Sequence, residues 1–270
     1  MIYRGSWALV TGASAGIGAA FARSLAVKGA NVILTARRRD RLDAFANELN
    51  RDYAAETRVF PADLADPAAP QQIMDALAAE GLPVDILINN AGYGLPGFCA
   101  DSPWAAHRDF LEVMVTGYAH FVRLALPGML ERGFGRIVQV SSVAGLMPGS
   151  SGHTMYGASK AFLVSFSQSL AAECAGSGVN VSAVCPGFTY SEFHDVNDTR
   201  AIVSKLPKYM FMQAEPVVEG ALRAVEAGHV VYVPGAWNKF IVWFAKALPR
   251  PWAASLMRGQ SAKFRAGAKE

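Results

Sequence analysis

Trp7-Ala8-Leu9-Val10-Thr11-Gly12-Ala13-Ser14-Ala15-Gly16-Ile17-Gly18 joins a short apolar run to a glycine-spaced turn and then to an amphipathic stretch. Such a strand, turn and helix aims the helix's first amides, and the positive end of its dipole, into the turn. Glycines at 12, 16 and 18 let a backbone approach a pyrophosphate closely, so the segment points to a dinucleotide. The spacing differs from the commoner Gly-x-Gly-x-x-Gly, and a glycine turn alone is a weak signal. Its position directly after the first strand strengthens it.

The alternation continues along the chain. Strand-like runs are expected near Trp7 to Val10, Asn31 to Thr35, Arg58 to Phe60, Asp85 to Asn89, Arg136 to Val140, Val179 to Val184 and His229 to Val233. Between them, apolar residues at three- and four-residue spacing predict helices over Ile17 to Lys28, Asp40 to Asn50, Pro67 to Ala79 and Met155 to Ala175. Alternating strands and helices imply βαβ units, hence an α/β fold with one doubly wound parallel sheet of about seven strands and helices on both faces. The 52% apolar content suits one large domain, taken here as residues 1–236, followed by an extension at 237–270.

Composition narrows the function classes. A net charge of +3 with no aromatic-studded basic stripe argues against nucleic acid. Cys99, Cys174 and Cys185 lack paired spacing, and the five histidines form no ligand pattern, so no metal and a reduced, cytoplasmic setting are expected. A strand beginning a few residues after Met1 leaves no room for a secretory leader.

Where an adenine ribose should lie, the second strand ends without the carboxylate that would grip a free 2′-hydroxyl. Ala36-Arg37-Arg38-Arg39 stands there instead, and arginines opening a helix oppose its dipole. Arg37 and Arg38 are therefore assigned to a 2′-phosphate, and NADP(H) to the site, with a solvated basic turn offset by Asp40 and Asp43 as the rival. Asp63 is a candidate acceptor for the adenine amino group, because Asp66-Pro67 already provides an N-cap and a first-turn proline. Asn89-Asn90-Ala91-Gly92 closes the fourth strand on the same crevice.

Further on, Ser141 and Ser142 precede Tyr156 and Lys160, which lie one helical turn apart on one face. A phenol must drop about three units to exchange protons near neutrality, roughly 4 kcal/mol. One ammonium at ~4 Å and an effective dielectric of ~20 supplies about that. Lys160 is thus expected to hold the Tyr156 phenol low.

Taken in order, Thr11 to Gly18, Asp63, Asn89 to Gly92, Ser142, Tyr156, Lys160 and Pro186-Gly187 closely resemble the short-chain dehydrogenase/reductase family, over about Ser6 to Gly187. The resemblance implies a single-domain Rossmann-type oxidoreductase moving a hydride between nicotinamide and a carbonyl or secondary alcohol. It implies catalysis by Ser142, which holds the substrate oxygen, Tyr156, which exchanges its proton, and Lys160, which binds the ribose. It places further cofactor contacts on Gly12, Ser14, Ala15, Gly16, Ile17, Gly18, Asp63, Leu64, Asn90, Ala91, Gly92, Pro186, Gly187, Thr189 and Ser191. Homodimers or homotetramers assembled through the helices beginning near Trp104 and Tyr156 are likewise implied.

One residue departs from the family pattern. Met114, in Met114-Val115-Thr116-Gly117, stands where the family usually has the asparagine of its catalytic set. This motivates an alternative, a nucleotide-binding sensor or scaffold with weakened chemistry. After Gly187 the aromatic stretch to about Gln213, with Phe188, Tyr190 and Phe211, is too long for a connector and reads as a substrate lid over an apolar molecule. From Lys239 onward lie seven of the 25 basic residues and one of the 22 acids, leaving the rest of the chain at −3. This apolar, aromatic tail is broken by Lys246 and prolines before it could span a bilayer. It is expected to pack on the domain or a sister subunit, or to lie on a membrane surface.

Overall fold

The computed structural model describes residues 3–95, 97–152, 154–190 and 207–249. Seven parallel strands form one sheet in the order β3-β2-β1-β4-β5-β6-β7. They are β1 (Trp7–Thr11), β2 (Asn31–Ala36), β3 (Thr57–Pro61), β4 (Ile86–Asn89), β5 (Gly135–Val140), β6 (Val179–Val184) and β7 (Val231–Tyr232). The last is shorter than the sequence suggests. Pairing between β1 and β4 reverses the direction of winding, and the crevice above that switch point is where ligands of open α/β sheets bind.

Every residue of β1 is buried, as expected for a parallel strand covered on both faces. Alternation then divides the core. Ala8 and Val10 pack with α1 (Gly16–Val27), α2 (Arg39–Tyr53) and Val217, Val218, Ala221 and Val225 of a late helix, Ala214–Glu226. Trp7 and Leu9 pack on the other face with α3 (Ala69–Ala79), α4 (Trp104–Leu111), α5 (Gly117–Arg132) and α6 (Thr154–Glu173). The late helix is α7, and α8 (Ala236–Ala247) follows β7. A π-helical turn, Glu112–Thr116, makes α4 and α5 one continuous rod. By length and composition that rod could cross a membrane, but Phe110, Met114, Tyr118, Phe121 and Met129 are buried, the pattern of a core helix.

One boundary needs correction. α3 starts at Ala69, not Pro67, and carries its first-turn proline at Pro70. The chain turns first: the Asp66 carboxylate accepts from the Ala68 amide at 2.9 Å, and the Ala69 amide donates to the Asp66 carbonyl at 3.0 Å. Asp66 therefore closes a turn and does not cap the helix.

Candidate active site

Gly12 and Gly16 adopt φ of +67° and +57°, a region that strains other residues. Around Gly12 there is also no room: a β-carbon would lie 2.8 Å from the Ala91 α-carbon and 2.9 Å from the Asn90 amide nitrogen. At Gly18 it would meet the Gly12 carbonyl oxygen and come within 2.5 Å of the same nitrogen. Asn90 secures this contact by donating from Nδ2 to the carbonyls of Thr11 (2.9 Å) and Gly12 (3.3 Å). Thr11 Oγ1 in turn accepts from the amides of Asn90 (2.8 Å) and Ala91 (3.0 Å). The first turn and the end of β4 are thereby bound edge to edge, and Ala15 at the N-cap of α1 supplies no side-chain cap. These features fit a phosphate-bearing group.

Arg38 donates to Ser14 Oγ at 3.1 Å, which brings one basic residue of the second turn onto the first. Arg37 is exposed; burial raises the Tyr93 phenol, with Asp109 and Asp63 adding to the rise and Arg37 opposing it. Arg39 belongs to the solvated surface, 3.4 Å from Asp43. The candidate acceptor Asp63 has Oδ1 engaged by the Ala65 amide at 3.1 Å. Leu64 beside it is buried.

The proton-transfer group is built where β5 runs into α6. Ser142 ends an extended segment and caps the short helical turn Val143–Gly145, accepting from the Ala144 amide at 3.2 Å. Its hydroxyl donates to the Pro186 carbonyl at 3.4 Å and is near enough to the Tyr156 phenol to favour its ionised form. Ser141 donates to the Lys160 carbonyl at 2.7 Å, and a β-carbon on Gly145 would reach within 2.5 Å of the Lys160 backbone. Two neighbouring contacts thus press the turn bearing Ser142 onto the helical turn bearing Tyr156 and Lys160.

Lys160 is 4% exposed and donates to the Val140 carbonyl at 2.7 Å. Burial brings its ammonium down to about 7, against a smaller opposite pull from the Cys185 thiol. Burial also holds the Tyr156 phenol above its ordinary value, with the Ser142 hydroxyl opposing. The phenol is therefore raised, not lowered as its spacing from Lys160 predicts. The lysine nitrogen is directed to a main-chain carbonyl and sits 5.7 Å from the Tyr156 ring centre, with its own charge weakened by desolvation.

Met114 is fully buried on the π-helical turn, its sulfur so close to Gly92 that a β-carbon there would lie 2.7 Å away. One turn further on is a residue the sequence reading missed. Tyr118 is buried, donates to the Ala91 carbonyl at 2.8 Å, and places its ring 5.7 Å from Lys160 Nζ, the same distance as Tyr156. Asn89 donates to the Tyr118 carbonyl at 3.0 Å. Tyr118 therefore links the dinucleotide crevice to the lysine. Its four-residue spacing from Met114 was the available signal.

Beyond β6, Gly187 is pinned by α8: a β-carbon there would overlap the Asn238 side chain. Thr189 pairs with Met212, and amide-to-carbonyl bonds run from Tyr190 to Met212 (3.0 Å) and from Met212 to Phe188 (2.9 Å). Phe211 lies between Phe188 and Tyr190, at ring-centre distances of 5.5 and 4.9 Å. The two ends of the expected lid are joined by this aromatic stack; Ser191 and the stretch 191–206 lie outside the described residues.

Comparison with known proteins agrees with this geometry. The short chain dehydrogenase family model matches residues 6–201. The chain is 33% identical over 241 residues to the 3-oxoacyl-(acyl-carrier-protein) reductase of Escherichia coli, covering 87% of this chain and 95% of that protein. It is 37% identical over 199 residues to the very-long-chain 3-oxoacyl-CoA reductase of Anas platyrhynchos, covering 72% of this chain and only 62% of the relative. Among solved structures, one from work on 7beta-hydroxysteroid dehydrogenase stereoselectivity superposes with a TM-score of 0.84 at 27% identity, covering 95% and 98% of the two chains. A short-chain dehydrogenase from Sphingobium yanoikuyae in complex with NADPH gives 0.78 at 29% identity, covering 90% and 96%. The chain belongs to the short-chain dehydrogenase family and is an oxidoreductase of the nicotinamide-dependent type.

Proposed function

We propose that the protein is an NADP(H)-dependent oxidoreductase acting on a carbonyl or secondary alcohol of an apolar molecule such as a ketone, steroid or fatty-acyl derivative. The observation that carries the reading is the contiguous set Ser142, Tyr156 and Lys160 beside a crevice whose glycines leave no room for side chains. Gly12, Ser14, Ala15, Gly16, Ile17, Gly18 and Arg38 would hold the phosphates; Asp63, Leu64 and Asn90 to Gly92 the adenine side and crevice wall; Pro186, Gly187, Thr189 and Ser191 the carboxamide side. Bound there, the cofactor supplies or accepts the hydride. Ser142 orients the substrate oxygen, and Tyr156 gives that oxygen a proton in reduction or removes one in oxidation. A phenol raised by burial is protonated at neutral pH and so is suited to carbonyl reduction.

The specificity for NADP(H) is supported by Arg38 reaching Ser14 and by arginines, not an acid, directly at the end of β2. Arg38→Ala, titrated with both cofactors, should weaken NADPH about tenfold or more and leave NADH nearly unchanged. Equal losses would reject the 2′-phosphate assignment. The apolar substrate class is supported by the Phe188, Tyr190 and Phe211 stack and is tested by turnover against hydrophobic and polar ketones. Buried Met114 keeps the sensor alternative distinct: tight NADPH binding without turnover on any of these ketones would favour it. Homodimers or homotetramers would place exposed Trp104 and Phe162 at interfaces, and sedimentation of the purified chain tests this.

A further inference from the structure

α8 is amphipathic in an unusual sense. Its inward face is small: Asn238 and Val242 are buried, and Asn238 donates to the Pro234 carbonyl at 2.8 Å while packing on Gly187. Its outward face is aromatic. Trp237, Phe240, Trp243 and Phe244 recur at helical spacing with 39, 51, 64 and 42% exposure, and Tyr209 from the preceding segment adds a fifth ring at 66%. The rings touch one another, with centres 5.4 to 6.1 Å apart from Tyr209 through Trp237 and Phe240 to Trp243 and Phe244. Lys239 and Lys246, both exposed and seven residues apart, run along one flank of this face.

We infer that this face is a docking surface for the interfacial layer of an anionic lipid bilayer. Three observations favour that occupant. Tryptophan, tyrosine and phenylalanine flanked by snorkelling lysines suit the headgroup boundary, where rings sit beside acyl chains and ammonium groups reach phosphates. The described chain ends at Pro249 next to this face, and the 21 residues that follow carry Trp252, Leu256, Met257, five basic residues and one acid. With the body of the chain at −3 and all positive excess from Lys239 onward, charge draws this end of the sequence toward an anionic membrane. The 12 residues of α8 extend only about 18 Å, too short to cross, so the helix lies in the plane of the interface. Because Asn238 on the opposite face rests on Gly187, the docked helix would lie between the Gly187 end of the crevice and the membrane. The inference stands apart from the redox chemistry proposed above.

The test is flotation of the full chain with vesicles of phosphatidylcholine alone or with about a third phosphatidylglycerol. Binding is expected on the anionic vesicles, about tenfold weaker on neutral ones or at high salt. Phe240→Ser with Trp243→Ser, and separately Lys239→Glu with Lys246→Glu, should each reduce it about tenfold while thermal midpoint and circular dichroism stay unchanged. In the unaltered protein, brominated phosphatidylglycerol should quench tryptophan emission, a readout independent of any variant's folding. No binding to anionic vesicles, equal binding to neutral ones, or binding indifferent to the ring substitutions would overturn the inference. So would a ring variant that splits an oligomer of a protein that ignores vesicles, since a second copy would then own the face.

Discussion

At the residue scale, the site depends on how burial acts on Lys160 and Tyr156. Lys160 drops from 10.5 to about 7 on folding. Between those values the unfolded chain holds the extra proton, so the folded state gains stability as pH rises from about 7 toward 10.5. In the protein without cofactor, unfolding free energy of the native chain minus that of Lys160→Met should climb with pH, by at most about 1.4 kcal/mol per unit. A flat difference would mean that the lysine keeps its ammonium in the fold. Tyr156 shifts the other way, with its phenol held protonated by burial. Ketone reduction should therefore persist through neutrality and fall in alkali, whereas alcohol oxidation should rise there, as paired pH–rate profiles would show. Met114→Asn tests the neighbouring departure: if loss of the amide slows proton resupply, the asparagine variant should raise turnover several-fold with little change in cofactor affinity. An unchanged rate would show that Lys160, Val140 and Tyr118 need no amide at that position.

At the element scale, the decisive piece is the turn Val143–Gly145 pressed against α6. Gly145→Ala would drive a β-carbon into the Lys160 backbone, where no flexible side chain can yield. The expected cost is about 1–3 kcal/mol of stability, with turnover falling further than cofactor binding because Ser142 and Tyr156 separate. Calorimetry combined with steady-state kinetics checks both parts. The elements themselves were largely legible. Buried parallel strands such as β1 and β4 read as short apolar runs, and α1 and α6 bury residues at three- and four-residue spacing. Less legible were features set by tertiary contact. The π-helical turn leaves no local periodic mark, Asp66 is as good a residue for a turn as for a cap, and the Tyr118 bond to Ala91 spans 27 residues. The sign of the phenol's shift also escaped the sequence, because spacing places Lys160 near Tyr156 but cannot say that Val140 takes its proton donor or that both groups are desolvated.

At the scale of the whole molecule, winding away from β1 in both directions opens one crevice, and the chain delivers to it the first glycine turn, Asn90, Ser142, the α6 pair and the Pro186-Gly187 segment. Anything bound across that crevice contacts both halves of the sheet. A saturating cofactor should therefore raise the unfolding free energy of the entire domain, by about 2.7 kcal/mol at a hundredfold excess over Kd. A thermal scan with NADPH and with NADH would show the larger shift for NADPH. The central claim is that this crevice serves proton transfer by Tyr156. Its most direct test is the rate of NADPH oxidation with an apolar ketone by the native chain and by Tyr156→Phe, each first shown to be stabilised by NADPH. The account predicts that the variant binds the cofactor normally and loses about a hundredfold or more in turnover. A variant oxidising NADPH at the native rate would contradict it.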